Sequence, residues 1–239
     1  MKSGVVAVLM ATLAGASRGS AADLRVTPAS SSQPQLTISV LPNWAGPYVG
    51  AQAGYLSGRS ETSFPGTGEF HFVDPKGFTA GWSAGHAWQW GRAVGGLEGD
   101  LNFVDATATV NTGFAPDPSI TQLQSTINWN SHLRGRVGYA FDRAMFFVAG
   151  GLALAGVDSK SFDNASGAIA SWNDTRVGWT VGAGVDYRVT PRASVRLEYL
   201  YDNYGAKTLP TQTVGTTTFA ERESKLDSHT LRAGAHWHF

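Results

Sequence analysis

Along Arg176–Tyr187, RVGWTVGAGVDY, apolar residues (Val177, Trp179, Val181, Ala183, Val185, Tyr187) alternate without a break with small or polar ones (Arg176, Gly178, Thr180, Gly182, Gly184, Asp186). Successive side chains of a β-strand point to opposite faces, so the pattern predicts a strand that is greasy on one side and polar on the other. It is long for a soluble strand and fits one that crosses a bilayer at a tilt, which takes roughly 9 to 11 residues. The same period recurs over 44–55, 78–90, 94–103, 126–141, 144–157, 193–202 and 226–239. In 126–141 it places Ile127, Trp129, Leu133 and Val137 on the apolar side, opposite Asn128, Asn130, His132, Arg134 and Arg136. In 144–157 the run Met145–Phe146–Phe147–Val148 leaves the facing open.

The connections alternate in length. Those after the first, third, fifth and seventh segments run to roughly 20 residues, and the others are tight turns at Gly91–Arg92, Asp142–Arg143 and 189–192. This rhythm predicts an all-β fold, an eight-stranded antiparallel up-and-down transmembrane β-barrel with short turns and both termini in the periplasm. A lipocalin-like soluble barrel shares the strand count but turns its apolar face inward. Charge separates the two. Glu98, Asp100, Arg134, Arg136, Arg176, Asp186, Arg196, Glu198 and Arg232 all share the glycine-bearing face, while the opposite band is almost free of charge and rich in Trp, Tyr, Val and Leu. The charged face is therefore expected to line the lumen and the greasy one to meet lipid.

At the N-terminus, Lys2, the apolar run Val5–Ala14 and the small residues Gly19–Ala22 read as a secretory signal peptide over 1–22. A Ser- and Pro-bearing stretch, 23–43, reads as a periplasmic linker, and 44–239 as the barrel. Loss of Lys2 and Arg18 leaves 16 basic against 18 acidic residues, so no basic field argues for nucleic acid. With no cysteine in 239 residues there is no disulfide, thiolate or zinc-finger chemistry to consider.

Trp44–Gly50 (WAGPYVG) with Ala53–Gly54–Tyr55, Gly96–Asp100 (GLEGD), Val181–Tyr187 (VGAGVDY), Leu197–Tyr201 (LEYLY) and the terminal Phe239 together resemble outer-membrane β-barrel proteins of the Omp25/Omp31 type. The resemblance spans the whole mature chain. It implies a surface-exposed, often immunogenic barrel of Gram-negative outer membranes, and a C-terminal aromatic, here Phe239, that is read by the barrel assembly machinery. His86 and His236 depart from the pattern expected of such proteins.

An eight-stranded barrel is just wide enough for side chains to fill it. The expectation is therefore a structural and surface protein contributing to envelope integrity, with outer-membrane lipid as its surroundings and a lumen closed by paired Arg, Glu and Asp. A small low-conductance pore is the alternative. Another is capture of haem, a host surface or an environmental ligand by loops carrying Phe64, Phe70, His71 and Phe72, or Phe219, Glu221, Arg222, Glu223 and Lys225. An enzyme is not expected. Ser131 and His132 point to opposite faces of one strand, and His236 and His238 lack a third metal ligand in the sequence. No catalytic residue, cofactor or metal is assigned.

Overall fold

The computed structural model describes residues 43–64, 69–111 and 122–239. The stretches expected to be a signal peptide and, but for its last residue, a linker lie outside this range. Eight long strands make the wall: β1 (Gly46–Phe64), β3 (Lys76–Trp90), β4 (Ala93–Asn111), β5 (Gln122–Phe141), β6 (Ala144–Phe162), β7 (Ile169–Arg188), β8 (Ala193–Leu209) and β11 (Arg222–His238). Each pairs antiparallel with its neighbour in the chain, and β1 pairs with β11 to close the ring. Closure removes the open sheet edges that a bilayer cannot satisfy. Three short strands sit at the loop end: β2 (Glu69–Val73), folded back on β1, and the hairpin β9 (Gln212–Val214) with β10 (Thr217–Phe219).

The wall rises well past the limits that the alternation predicts. β4 continues to Asn111 and β6 to Phe162, so much of each long connection is strand. The reason is visible at Asp105–Thr109 (DATAT): above the bilayer the outward Asp105, Thr107 and Thr109 meet water and the inward Ala106 is apolar, so the alternation reverses its sense and no longer continues the greasy-outside pattern below.

Facing follows the alternation with one correction. Ile127 points inward and is buried, and Asn128 points out, where its amide donates to Asp158 Oδ2 at 2.7 Å. A β-bulge between Ile127 and Trp129 leaves Asn128 and Trp129 on the same side and reverses the parity above it. The ambiguous strand β6 turns Phe146, Val148, Leu152 and Leu154 to the outside and Met145, Phe147 and Ala149 to the lumen.

The interior is stacked in layers. At the short-turn end, Trp44, Tyr48, Val94, Met145 and Phe147 form an aromatic floor. Trp44 lies beneath the Arg188 guanidinium at 4.5 Å, and its backbone N–H donates to Gln89 Oε1. The charged layer described below follows. Above it come Leu56, Val104, Ala106, Ile127, Val157, Tyr204 and Leu226, an apolar septum across the lumen. Near the loop end Val73, Leu123, Ala170 and Phe219 make a second apolar layer. Phe219 has no exposed surface and meets the Trp172 ring edge-on at 6.4 Å, so the β9–β10 hairpin acts as a cap. This corrects the expectation that Phe219 and Arg222 are displayed on a loop: both are buried.

Asp163 ties the cap down. It accepts hydrogen bonds from Ser166 and from Thr217 Oγ1, the latter at 3.1 Å, and Ser166 also meets Thr217 at 2.9 Å. The bond from Ser166 is the chief cause holding the Asp163 carboxyl below its ordinary range. A carboxyl lowered on folding stabilises the folded form above its unfolded pKa and loses that contribution as pH falls through the folded one. The cap is therefore expected to loosen only below roughly pH 4, the ordinary aspartate range. Amide exchange of residues 212–219, corrected for its intrinsic pH dependence, should quicken there in the native chain and already be quick at neutral pH in Asp163→Ala.

Candidate functional site

The centre of the lumen holds four guanidiniums and four carboxylates brought in by five strands. β4 supplies Glu98 and Asp100, β5 Arg134 and Arg136, β7 Asp186, β8 Arg196 and Glu198, and β11 Arg232. Each occupies an inward position because the alternation of its strand puts it there.

Arg134 is the hub. Its Nη2 donates to Glu98 Oε1 at 2.6 Å and to Asp100 Oδ2 at 3.1 Å, and its Nη1 donates to Glu198 Oε1 at 2.6 Å. Arg196 spans Glu98 Oε2 through Nη1 and Asp186 Oδ1 through Nε, both at 2.6 Å. Arg136 reaches Asp186 Oδ2 at 2.7 Å and Glu98 Oε2 at 3.3 Å, and Arg232 joins Glu198 to Asp100 at 2.8 and 3.0 Å. No member is more than 6% exposed. Ions so far from water are tolerated only when their charge is answered, which this reciprocal sharing achieves, with Arg134 Nε alone in the eight left without a hydrogen-bond partner.

The floor supports the network from below. Arg136 lies 4.1 Å and Arg196 5.1 Å from the Phe147 ring centroid, and the Tyr48 hydroxyl donates to Glu98 Oε2 at 2.8 Å. Three further residues extend it beyond the nine singled out from the sequence. His132 Nδ1 is 2.7 Å from Asp100 Oδ1 and its Nε2 is 3.3 Å from Asp202 Oδ1, while Asn102 donates to Asp100 Oδ1 at 2.8 Å. All three lie on the inward face in the alternation, which is the signal that would have found them.

Arg176 is the exception among those nine. Its Cα is registered opposite Ala155 of the apolar septum, and it donates to the Ser224 carbonyl at 2.9 Å and to Ser224 Oγ at 3.0 Å and makes no ion pair with the central carboxylates. Its place on β7, ten residues from Asp186, raises it about 33 Å along the strand, beyond reach of the centre.

His236 and His238 line the floor and pair with hydroxyls, His236 Nε2 with Ser83 Oγ at 3.1 Å and His238 Nε2 with Ser194 Oγ at 2.9 Å. Among the described residues no group of three or more His, Cys, Asp or Glu has the arrangement to hold a metal ion. His86 points outward and stacks on Trp88 at 4.7 Å. Phe239 also points outward, 74% exposed, and its backbone N–H donates to the Pro47 carbonyl.

A greasy outer wall around a charged, filled centre is the architecture of a membrane barrel. The family model described as outer membrane protein beta-barrel domain matches residues 24–239. The chain belongs to this family. Among curated relatives, the 31 kDa outer-membrane immunogenic protein of Brucella melitensis biotype 1 is 30% identical over 210 residues, covering 82% of this chain and 84% of the relative. The 25 kDa outer-membrane immunogenic protein of Brucella abortus biovar 1 is 30% identical over 198 residues, covering 82% and 80%. Among solved structures, the outer membrane protein OprG from Pseudomonas aeruginosa superposes with a TM-score of 0.56 at 10% identity, covering 84% of this chain and all of that one, a likeness of fold. This Omp25/Omp31-type barrel is thus a surface-exposed protein of the outer membrane.

Proposed function

We propose that the barrel is a structural and surface component of the outer membrane that adds to envelope integrity, with its short-turn end in the periplasm and its lumen sealed. The observation carrying this reading is the layered interior. The charged layer lies between the Trp44–Phe147 floor and the apolar septum at Leu56 and Ile127, so a permeating ion meets two dry barriers besides the paired charges. Those pairs plug the tube: each carboxylate is already satisfied and has no reason to move.

Single-channel recording on the refolded barrel tests it. Protein shown to be folded by heat-dependent gel migration should be silent across a range of salt. Discrete, salt-dependent openings that change in Glu98→Gln would replace the plug by a narrow gated pore.

A catalytic role has little support from the site. Ser131 donates to the Asp100 carbonyl at 2.6 Å, and its neighbour His132 faces the lumen. The Ser83–His236 and Ser194–His238 pairs have the spacing of a nucleophile and base, yet both lie in the sealed floor. The Nδ1 atom of each histidine has no orienting partner. Contact with the surroundings falls to the loop end, where Phe70 and Phe72 are exposed on β2 and Arg59 stacks on Phe72 at 4.7 Å. These suit contact with a host or environmental ligand. The outward Phe239 suits recognition by the assembly machinery during insertion.

A further inference from the structure

Carboxylates outnumber guanidiniums in the middle of the lumen. Glu98, Asp100, Asp186, Glu198 and Asp202 are five buried carboxylates, and Arg134, Arg136, Arg196 and Arg232 are four buried guanidiniums. Arg188 does not make up the difference, because its two Nη atoms are taken up by the Pro191 and Asn43 carbonyls at the short-turn end. A dry layer tolerates an uncompensated charge poorly, so one further proton belongs there.

The place for it is His132, which is 3% exposed and lies between two of the carboxylates. Its Nδ1 is 2.7 Å from Asp100 Oδ1 and its Nε2 is 3.3 Å from Asp202 Oδ1. Asp100 already accepts from Asn102, Arg134 and Arg232, so it is an ionised acceptor and Nδ1 carries the hydrogen. At the other nitrogen, a neutral imidazole would aim its lone pair at a second carboxylate. Neither Nε2 nor Asp202 Oδ1 has a hydrogen-bond partner, so the contact between them is the only answer either atom has. Asp202 Oδ2 accepts from Ser228 Oγ at 3.1 Å, as an ionised carboxylate does.

No other group supplies the missing charge. Around His132, β4 brings Asp100, β8 brings Asp202 and Glu198 with Tyr204 two residues beyond Asp202, β11 brings Arg232, and β5 itself brings Arg134. β7 sets Thr180 opposite Asp202, and β6 sets Ala153 opposite His132. The inward Gln52 of β1 and Ser83 of β3 are neutral.

We propose that His132 is an imidazolium, the fifth cation of the layer, and that its proton locks the seal by holding β4 and β5 to β8 beneath the septum. The proposal rests on the reading of the barrel as sealed. In the ring β6 and β7 separate β5 from β8, so the His132–Asp202 link crosses the lumen rather than running along the wall. Tyr204, the next inward residue after Asp202, belongs to the septum, so a shift of β8 at this level disturbs the upper barrier. Loss of the proton as pH rises leaves the layer one negative charge in excess and turns a lone pair toward Asp202. The barrel is accordingly tight at neutral pH and leaks when made alkaline.

The test is NMR of the imidazole nitrogens in the full barrel, refolded in detergent micelles, with His132 assigned by the signal that His132→Gln removes. At neutral pH a free histidine, titrating at about pH 6.5, is mostly neutral, whereas both nitrogens of His132 should carry hydrogen. In Asp202→Asn, which leaves four carboxylates against four guanidiniums, His132 should turn neutral. His132→Gln should unfold at a lower temperature than the native chain, and adding Asp202→Asn should recover at least half of that loss. In single-channel recording the native barrel should begin to open over the pH range where NMR shows the proton leaving, while Asp202→Asn stays silent throughout. Should His132→Gln not fold, the native and Asp202→Asn spectra decide, since one imidazole must turn neutral between them. No recovery in the double variant, or a native barrel that stays silent after the proton has left, overturns the proposal. A neutral His132 in a barrel silent at neutral pH overturns the lock alone, whereas openings at neutral pH with His132 protonated overturn the sealed-barrel reading with it.

Discussion

Replacing Arg134 with Met is expected to lower the stability of the barrel more than any other single change in the lumen. The side chain of Arg134 answers Glu98, Asp100 and Glu198 at once, and all three are buried. Removing one partner from a buried ionic cluster leaves uncompensated charge and costs about 3–5 kcal/mol. The folded band on a heat-migration gel should disappear at a markedly lower temperature. Adding Glu198→Gln to Arg134→Met should recover part of the loss, because it removes one stranded carboxylate, and the size of that recovery measures their coupling. An Arg134→Met barrel that melts like the native one would show that the network contributes nothing to holding the lumen together.

Gly151→Val should be nearly as damaging, for a reason of geometry. Gly151 on β6 faces Arg134 on β5, and a Cβ built there would stand 2.1 Å from the Leu133 carbonyl oxygen and 2.8 Å from Arg134 Cα. Those atoms are backbone and cannot swing aside, so the wall itself must shift under the hub arginine. Overpacking of this kind costs about 1–3 kcal/mol and more where backbone resists. Gly81 is built the same way, its Cβ position lying 2.1 Å from the Leu101 carbonyl oxygen. Both glycines allow a narrow barrel to curve sharply. Unfolding in urea should shift to lower concentration in Gly151→Val, while Gly167→Ala, with nothing within 4 Å of its Cβ position, serves as a loop control despite its φ of 73°. Equal midpoints for the two would argue against the close-approach account.

The alternation of side chains was enough to name eight strands, their order around the ring and nearly every lumen residue, because lipid outside and packing inside impose opposite demands on adjacent positions. Where that contrast fades, so did the reading. Above the bilayer, Asp105–Thr109 reverses the sense of the alternation, polar outside and apolar inside, and the strand no longer matches its lower half. At Asn128 a bulge adds one residue that no period can announce, so the alternation alone puts Ile127 on the wrong face.

What the sequence determined by itself is therefore the membrane barrel and the sign of each face, since both follow from local periodicity. Only the tertiary structure decided which inward charges meet. Glu98 joins Arg196 across 98 positions of chain and Asp100 joins Arg232 across 132, partnerships set by strand stagger and by the curvature of a closed wall. The same stagger lifts Arg176 out of the central network and seats it against Ser224, and Phe219 folds inward as a cap. Height in the lumen is a property of the closed ring, and no stretch of sequence carries it alone.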